Sequence, residues 1–170
     1  MLVDFAQLPP DARLWIHAAE RPLSEPEQQR LLSAVDGFLQ GWKAHGEPLA
    51  AGRELRYGQF LFVAVDESAA GASGCSIDAM VRTLGQLERE LGLELVNHGP
   101  VLYRAPGGIA RAPRDLFARL AAEGRVAADT IVFNNTLTRL SELRAGRWEV
   151  PARDSWHQRA FFPAPASARS

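Results

Sequence analysis

The residues with the greatest chemical potential stand together in Ser73-Gly74-Cys75-Ser76-Ile77-Asp78, at the predicted start of a helix. Amides at a helix N-terminus lack intrahelical partners and carry partial positive charge, so they can hold an anion or activate a thiol. Cys75 is the only cysteine in the chain, and Ser73, Cys75 and Ser76 are each eligible to cap the helix. Two readings are open. In one, Ser73, Gly74, Ser76 and Asp78 line a pocket for a small polar or anionic ligand, with Cys75 as nucleophile or ligand contact. In the other, the serines cap a helix and Cys75 is a small buried side chain.

Asp66-Glu67-Ser68 lies seven to nine residues earlier, at the end of a predicted strand. Adjacent strand residues point to opposite faces, so either Asp66 or Glu67, not both, faces the Cys75 turn as an acid or base. A Cys–His pair needs an imidazole within hydrogen-bond reach. His45 (Ala-His-Gly) and His157 (Ser-Trp-His) are the expected relays, ahead of His17 and His98. No His-x-His or His-x3-His spacing supports a metal site. Asn134-Asn135 offers amides to a polar ligand or forms a turn. Trp156 and Trp148 either clamp a ligand by stacking or anchor a C-terminal arm.

The elements that must position these residues follow from hydrophobic spacing. Residues 13–19 and 101–104 read as strands. Residues 53–57 and 59–66 read as a hairpin turning at Tyr57-Gly58. Phe60-Leu61-Phe62-Val63-Ala64-Val65 is apolar throughout, as in a strand covered on both faces. Ser24 and Glu27 make a capping box for a helix whose stripe is Leu31, Leu32, Val35, Phe38, Leu39 and Trp42. A second helix over 76–91 carries Ile77, Met80, Val81, Leu84, Leu87 and Leu91, and Gly92 ends it. Residues 93–97 read as another strand, 114–122 as a helix, 130–133 as a buried strand and 140–143 as a short helix. The order strand, helix, strand, strand, helix, strand over the first hundred residues predicts an α+β fold. It is ferredoxin-like (βαββαβ), with both helices on one face of an antiparallel sheet and a C-terminal extension. One domain is expected over 1–162, with a disordered tail over 163–170.

The segments Lys43-Ala44-His45-Gly46, Val63-Ala64-Val65-Asp66-Glu67-Ser68, Ala72-Ser73-Gly74-Cys75-Ser76-Ile77-Asp78, Ile131-Val132-Phe133-Asn134-Asn135 and Ser155-Trp156-His157 together resemble an uncharacterised family of small bacterial proteins. Its Ala-Ser-Gly-Cys-Ser-Ile-Asp motif is the most specific part, and its members are often labelled ABC-transporter ATPases. The resemblance implies a shared site and nothing about its chemistry. The ATPase label is excluded by the residues: no Gly-x4-Gly-Lys-Ser/Thr occurs, and Lys43 is the only lysine.

Composition bounds the rest. The 170 residues are 46% hydrophobic and 23% charged, with a net charge of −1, which is globular and exerts no overall pull on nucleic acid or membrane. Residues 104–159 carry ten Arg against six acids, a weak indication of nucleic-acid binding through a sheet. A single cysteine excludes an internal disulfide. No apolar run reaches the roughly 18–20 residues that span a bilayer. The expectation is a cytoplasmic protein with a polar pocket at the Cys75 turn and a thiol-dependent hydrolase or transferase activity. The alternative is a non-catalytic module that binds protein or nucleic acid. No motif specifies a cofactor.

Overall fold

The computed structural model describes residues 1–164; residues 165–170, most of the expected disordered tail, lie outside the described residues. It is a mixed α+β structure with antiparallel sheets. The chain divides into two compact units, one formed by 1–98 with 135–145 and the other by 99–134 with the residues from Gly146 onward.

In the first unit, β1 (Arg13–Ala18), β4 (Ala50–Arg56) and β5 (Phe60–Asp66) form an antiparallel sheet in the order β1-β5-β4. The β4–β5 turn has positive φ at Tyr57 and Gly58 and closes with the Gln59 N–H donating to the Arg56 carbonyl at 3.0 Å. Positive φ at both central residues is what a tight hairpin turn of matching twist requires. The short strands β2 (Lys43–Ala44) and β3 (Glu47–Pro48) make a second hairpin, unexpected from the sequence, whose turn is His45-Gly46, again with positive φ at both.

Helix α1 (Glu25–Gln40) begins with the expected capping box: the Ser24 hydroxyl accepts from the Glu27 N–H, and the Glu27 carboxylate accepts from the Ser24 N–H at 2.8 Å. Trp42 lies beyond Gly41, past the helix end, yet it is buried in the same core. Helix α2 (Gly74–Leu91) starts two residues before the expected position and ends at Gly92, φ 65°. Leu31, Val35 and Leu39 of α1 and Met80, Leu84 and Leu87 of α2 join one core with Leu61, Val63 and Val65. Since those three alternate along β5, both helices cover the same sheet face, as expected. Phe60, Phe62 and Ala64, on the opposite face, are buried as well.

The strand expected at 93–97 does not form. Leu93 and Leu95 do point into the core, which produced the alternating pattern. The Glu20 N–H donates to the Glu94 carbonyl at 3.0 Å, but the reciprocal Glu94 N–H donates to the Glu20 carboxylate at 3.1 Å. A side chain occupies the place of the next ladder carbonyl, so the pairing does not propagate. The first unit therefore has three main strands where the ferredoxin-like pattern needs four. Residues 135–145 return to this unit through α4 (Leu140–Arg144), where the Leu140 N–H donates to the Ala12 carbonyl at 3.0 Å.

The second unit is built on a four-stranded antiparallel sheet, β7-β6-β8-β9, of Val101–Ala105 (β6), Gly108–Ala112 (β7), Ile131–Phe133 (β8) and Glu149–Pro151 (β9). The segment around Val150-Pro151 is an edge strand, where proline is tolerated. Helix α3 (Arg114–Ala122) brings Phe117 into a core with Val101, Val132 and Ala152. A short helix α5 (His157–Phe161) packs there through His157 and Phe161, four residues apart on one side. Among the described residues no helix is long and apolar enough to cross a membrane.

Candidate functional site

At the Cys75 turn, the polar groups spend themselves on the helix start. The Ser73 hydroxyl accepts from the Ser76 N–H at 3.2 Å, and the buried Ser76 hydroxyl donates to the Ser73 carbonyl at 2.8 Å. The Ser76 carbonyl accepts from the Trp42 indole N–H at 2.9 Å, tying α2 to the segment after α1. Glu67 organises the preceding loop: its carboxylate accepts from the Ala72 N–H at 3.0 Å and lies 3.6 Å from the Arg13 guanidinium. Asp66 accepts from the Ser68 N–H at 2.9 Å, a local turn. Gly74 and Asp78 are exposed, and Asp78, the fifth helical residue, stands just beyond the first turn.

Cys75 itself is exposed, not buried among apolar side chains. Its thiol has no hydrogen-bond or charged partner among the described residues. His45 sits exposed at the tip of the β2–β3 hairpin, and His157 belongs to the second unit. The structure thus shows a capped helix bearing an accessible thiol, without a contacting base. Asn134 and Asn135 are half-buried after β8, with the Asn134 N–H donating to the Trp148 carbonyl at 2.7 Å. Trp148 is a core anchor, its ring centre 5.0 Å from that of Phe133.

The second unit presents a different arrangement. After β9 the chain is pinned by Ala152 and Arg153, whose N–H groups donate to the Thr130 and Ala128 carbonyls, both at 2.8 Å. With His157 and Phe161 turned inward, Arg153, Ser155, Trp156, Gln158, Arg159 and Phe162 surround an open cavity of about 730 Å³. Neither Arg153 nor Arg159 has a carboxylate partner among the described residues. Trp156 stacks on the His157 ring at 3.9 Å, and the Arg114 guanidinium lies 4.9 Å from its ring centre. Two polar atoms of the wall residues, Trp156 Nε1 and Gln158 Oε1, are buried without a hydrogen-bond partner. Native proteins satisfy nearly all such atoms, so each calls for an explanation.

Ser155 and His157 also form a hydroxyl–imidazole pair beside this cavity, Oγ to Nδ1 2.5 Å. The same hydroxyl accepts from the His157 backbone N–H at 3.3 Å and reaches the Ala152 carbonyl at 3.5 Å. Burial, and then the nearby Arg114 charge, push the His157 pKa down to about 4. A base for neutral-pH chemistry is effective when its pKa lies near the working pH. His157 is therefore a weak one, and the pair orders the start of α5.

One further pair escaped the sequence reading. His17 in β1 is 4% exposed, with neither ring nitrogen hydrogen-bonded, and its ring centre is 5.3 Å from that of His98. The two are 81 positions apart, beyond any local spacing motif. Period-2 alternation from Trp15 did place His17 on the helix-facing side, which was the available signal. Among the described residues no group of three or more His, Cys, Asp or Glu can hold a metal ion. No protein-family model matches the chain, and neither a curated protein nor a solved structure shows significant similarity to it.

Proposed function

We propose that the protein binds a small organic anion, a carboxylate or phosphate on an apolar body, in the cavity beside Trp156. The observation that carries this reading is that Arg153 and Arg159, neither with a carboxylate partner among the described residues, flank one opening walled by Trp156 and Phe162. A guanidinium grips a carboxylate or phosphate through paired N–H donors. Trp156, Phe162 and Pro163 supply apolar wall for the remainder of the ligand. The volume falls within the roughly 300–1,000 Å³ of small-molecule sites. The weakly basic His157, and a Cys75 thiol with no contacting base among the described residues, favour binding over catalysis. Thiol chemistry at Cys75 is a second reading, favoured only by the exposure of that thiol. The β1-β5-β4 order also supports reading the first unit as a ferredoxin-like sheet lacking its fourth strand.

The test follows the Trp156 indole N–H by NMR while inorganic phosphate, phenyl phosphate and benzoate are titrated in. Phenyl phosphate is expected to shift that resonance at submillimolar concentration and to bind more tightly than inorganic phosphate. The double variant Arg153→Ala, Arg159→Ala should weaken it by about tenfold or more, a loss equivalent to at least one charge-assisted bond. Equal binding by the double variant, or an unmoved Trp156 signal with all three probes, refutes the proposal.

A further inference from the structure

A second feature, in the first unit and independent of the cavity, concerns His17. An imidazole buried with neither nitrogen bonded has lost its hydration without recompense. His17 is in this state, at 4% exposure, on the sheet face shared with Trp15 and the helices. The register pairs His17 with Leu61, so Gln59, two residues before Leu61, occupies the diagonal position on the same face. The Gln59 side-chain N–H donates to the Ala19 carbonyl at 3.0 Å, while its Oε1 is likewise buried and unpartnered. His98 stands opposite His17 and is exposed, so the pair reaches solvent on one side.

The ring separation leaves room for both imidazoles to reach one ion. With metal–nitrogen bonds near 2.0–2.1 Å, each ring centre lies roughly 3.2 Å from the ion. Ring centres 5.3 Å apart then subtend about 110° at the ion, close to the tetrahedral angle. We propose that His17 and His98 form a bis-imidazole site for a transition-metal ion of the Zn²⁺ and Cu²⁺ class, with water completing the coordination. Imidazole nitrogen suits these ions and does not suit Mg²⁺ or Ca²⁺.

The experiment titrates Zn²⁺ and Cu²⁺ into the full chain, free of any affinity tag, at pH 7.5, by calorimetry and by electron paramagnetic resonance for copper. One equivalent is expected, with hyperfine structure from two nitrogen ligands and no competition from excess Mg²⁺. His98→Ala, a change at an exposed position, should weaken binding at least tenfold without altering the fold, and His17→Phe should do the same. His45→Ala, at the hairpin tip, should leave it unchanged. Binding that is undiminished in His98→Ala, lost in His45→Ala, or absent from the wild-type chain refutes the site and leaves a buried water as the partner of His17 and Gln59. Should His17→Phe fail to fold, the His98→Ala titration and the copper spectrum still decide the matter.

Discussion

The Cys75 turn and the Trp156 cavity are built from similar residue types, serines and hydrogen-bonding side chains at the start of a helix, yet they differ in what those groups do. At the Cys75 turn, Ser73, Ser76, Glu67 and Asp66 each satisfy a backbone group within a few residues. At the cavity, two arginines have no counter-charge among the described residues, and two polar atoms are buried without partners. A polar group that has found its partner inside the chain has little left for a ligand. Residue type alone does not separate the two cases; the hydrogen-bond inventory does.

If the two regions belong to separately stabilised units, the largest effect should come from the core under the cavity. Phe117 is fully buried, with Tyr103 and Phe161 ring centres 5.1 and 4.9 Å away. Phe117→Ala should cost about 3–5 kcal/mol, the range for emptying a packed aromatic site. The Trp148 and Trp156 indole signals should broaden or collapse in that variant, while the Trp42 indole, bonded to Ser76, keeps its native position. Simultaneous loss of all the tryptophan signals would show one cooperative structure.

Acid should weaken both units, through one histidine in each. His17 and His157 have folded-state pKa values lowered to about 3 and about 4, in both cases chiefly by burial. In the unfolded chain each returns to about 6.5, so between these values the unfolded state holds more protons and stability rises with pH. The contribution of the neutral rings is complete above about pH 6.5 and is lost on acidification toward pH 4, at up to about 1.4 kcal/mol per unit for each fully titrating group. Urea unfolding at pH 7.0 and 5.5 should show a drop of roughly 1–3 kcal/mol. A flat profile across that interval would mean that neither ring is buried as described.

The sequence was most informative where one physical signal dominated. The Ser24–Glu27 capping box, the Gly92 stop and the unbroken apolar run of β5 each follow from a local rule, and each is present. Limits of α3 were legible to the residue because Leu116, Phe117 and Leu120 sit at helical spacing between Pro113 and Gly124. The strand expected at 93–97 failed because alternation of Leu93 and Leu95 reports burial, not ladder bonding. Strands β7 and β9 were missed because half-exposed edge and hairpin strands need few apolar residues. The cavity and the histidine pair were illegible for a different reason: both are defined by partners that are absent, and absence of a partner has no sequence signature.

The smallest expected effects fall on the Cys75 turn, and they discriminate the two readings of it. Ser73→Ala removes the acceptor for the Ser76 N–H and should destabilise the chain by about 1 kcal/mol, the usual cost of losing an N-cap. Cys75→Ser, on an exposed side chain with no partner among the described residues, should change stability by less than about 0.5 kcal/mol. The order Ser73 well above Cys75 is the signature of a capped helix. Labelling with iodoacetamide completes the test. An exposed thiol with no activating contact should react in the native protein within about twofold of its rate in the denatured chain. A native rate many times faster would identify an activated thiolate, and Cys75→Ser would then be expected to abolish a real activity at this turn. Slow native labelling would contradict the exposure of Cys75 itself. Equal rates, together with a measurable cost at Ser73 alone, leave the turn a structural device and the Trp156 cavity the place to look for a ligand.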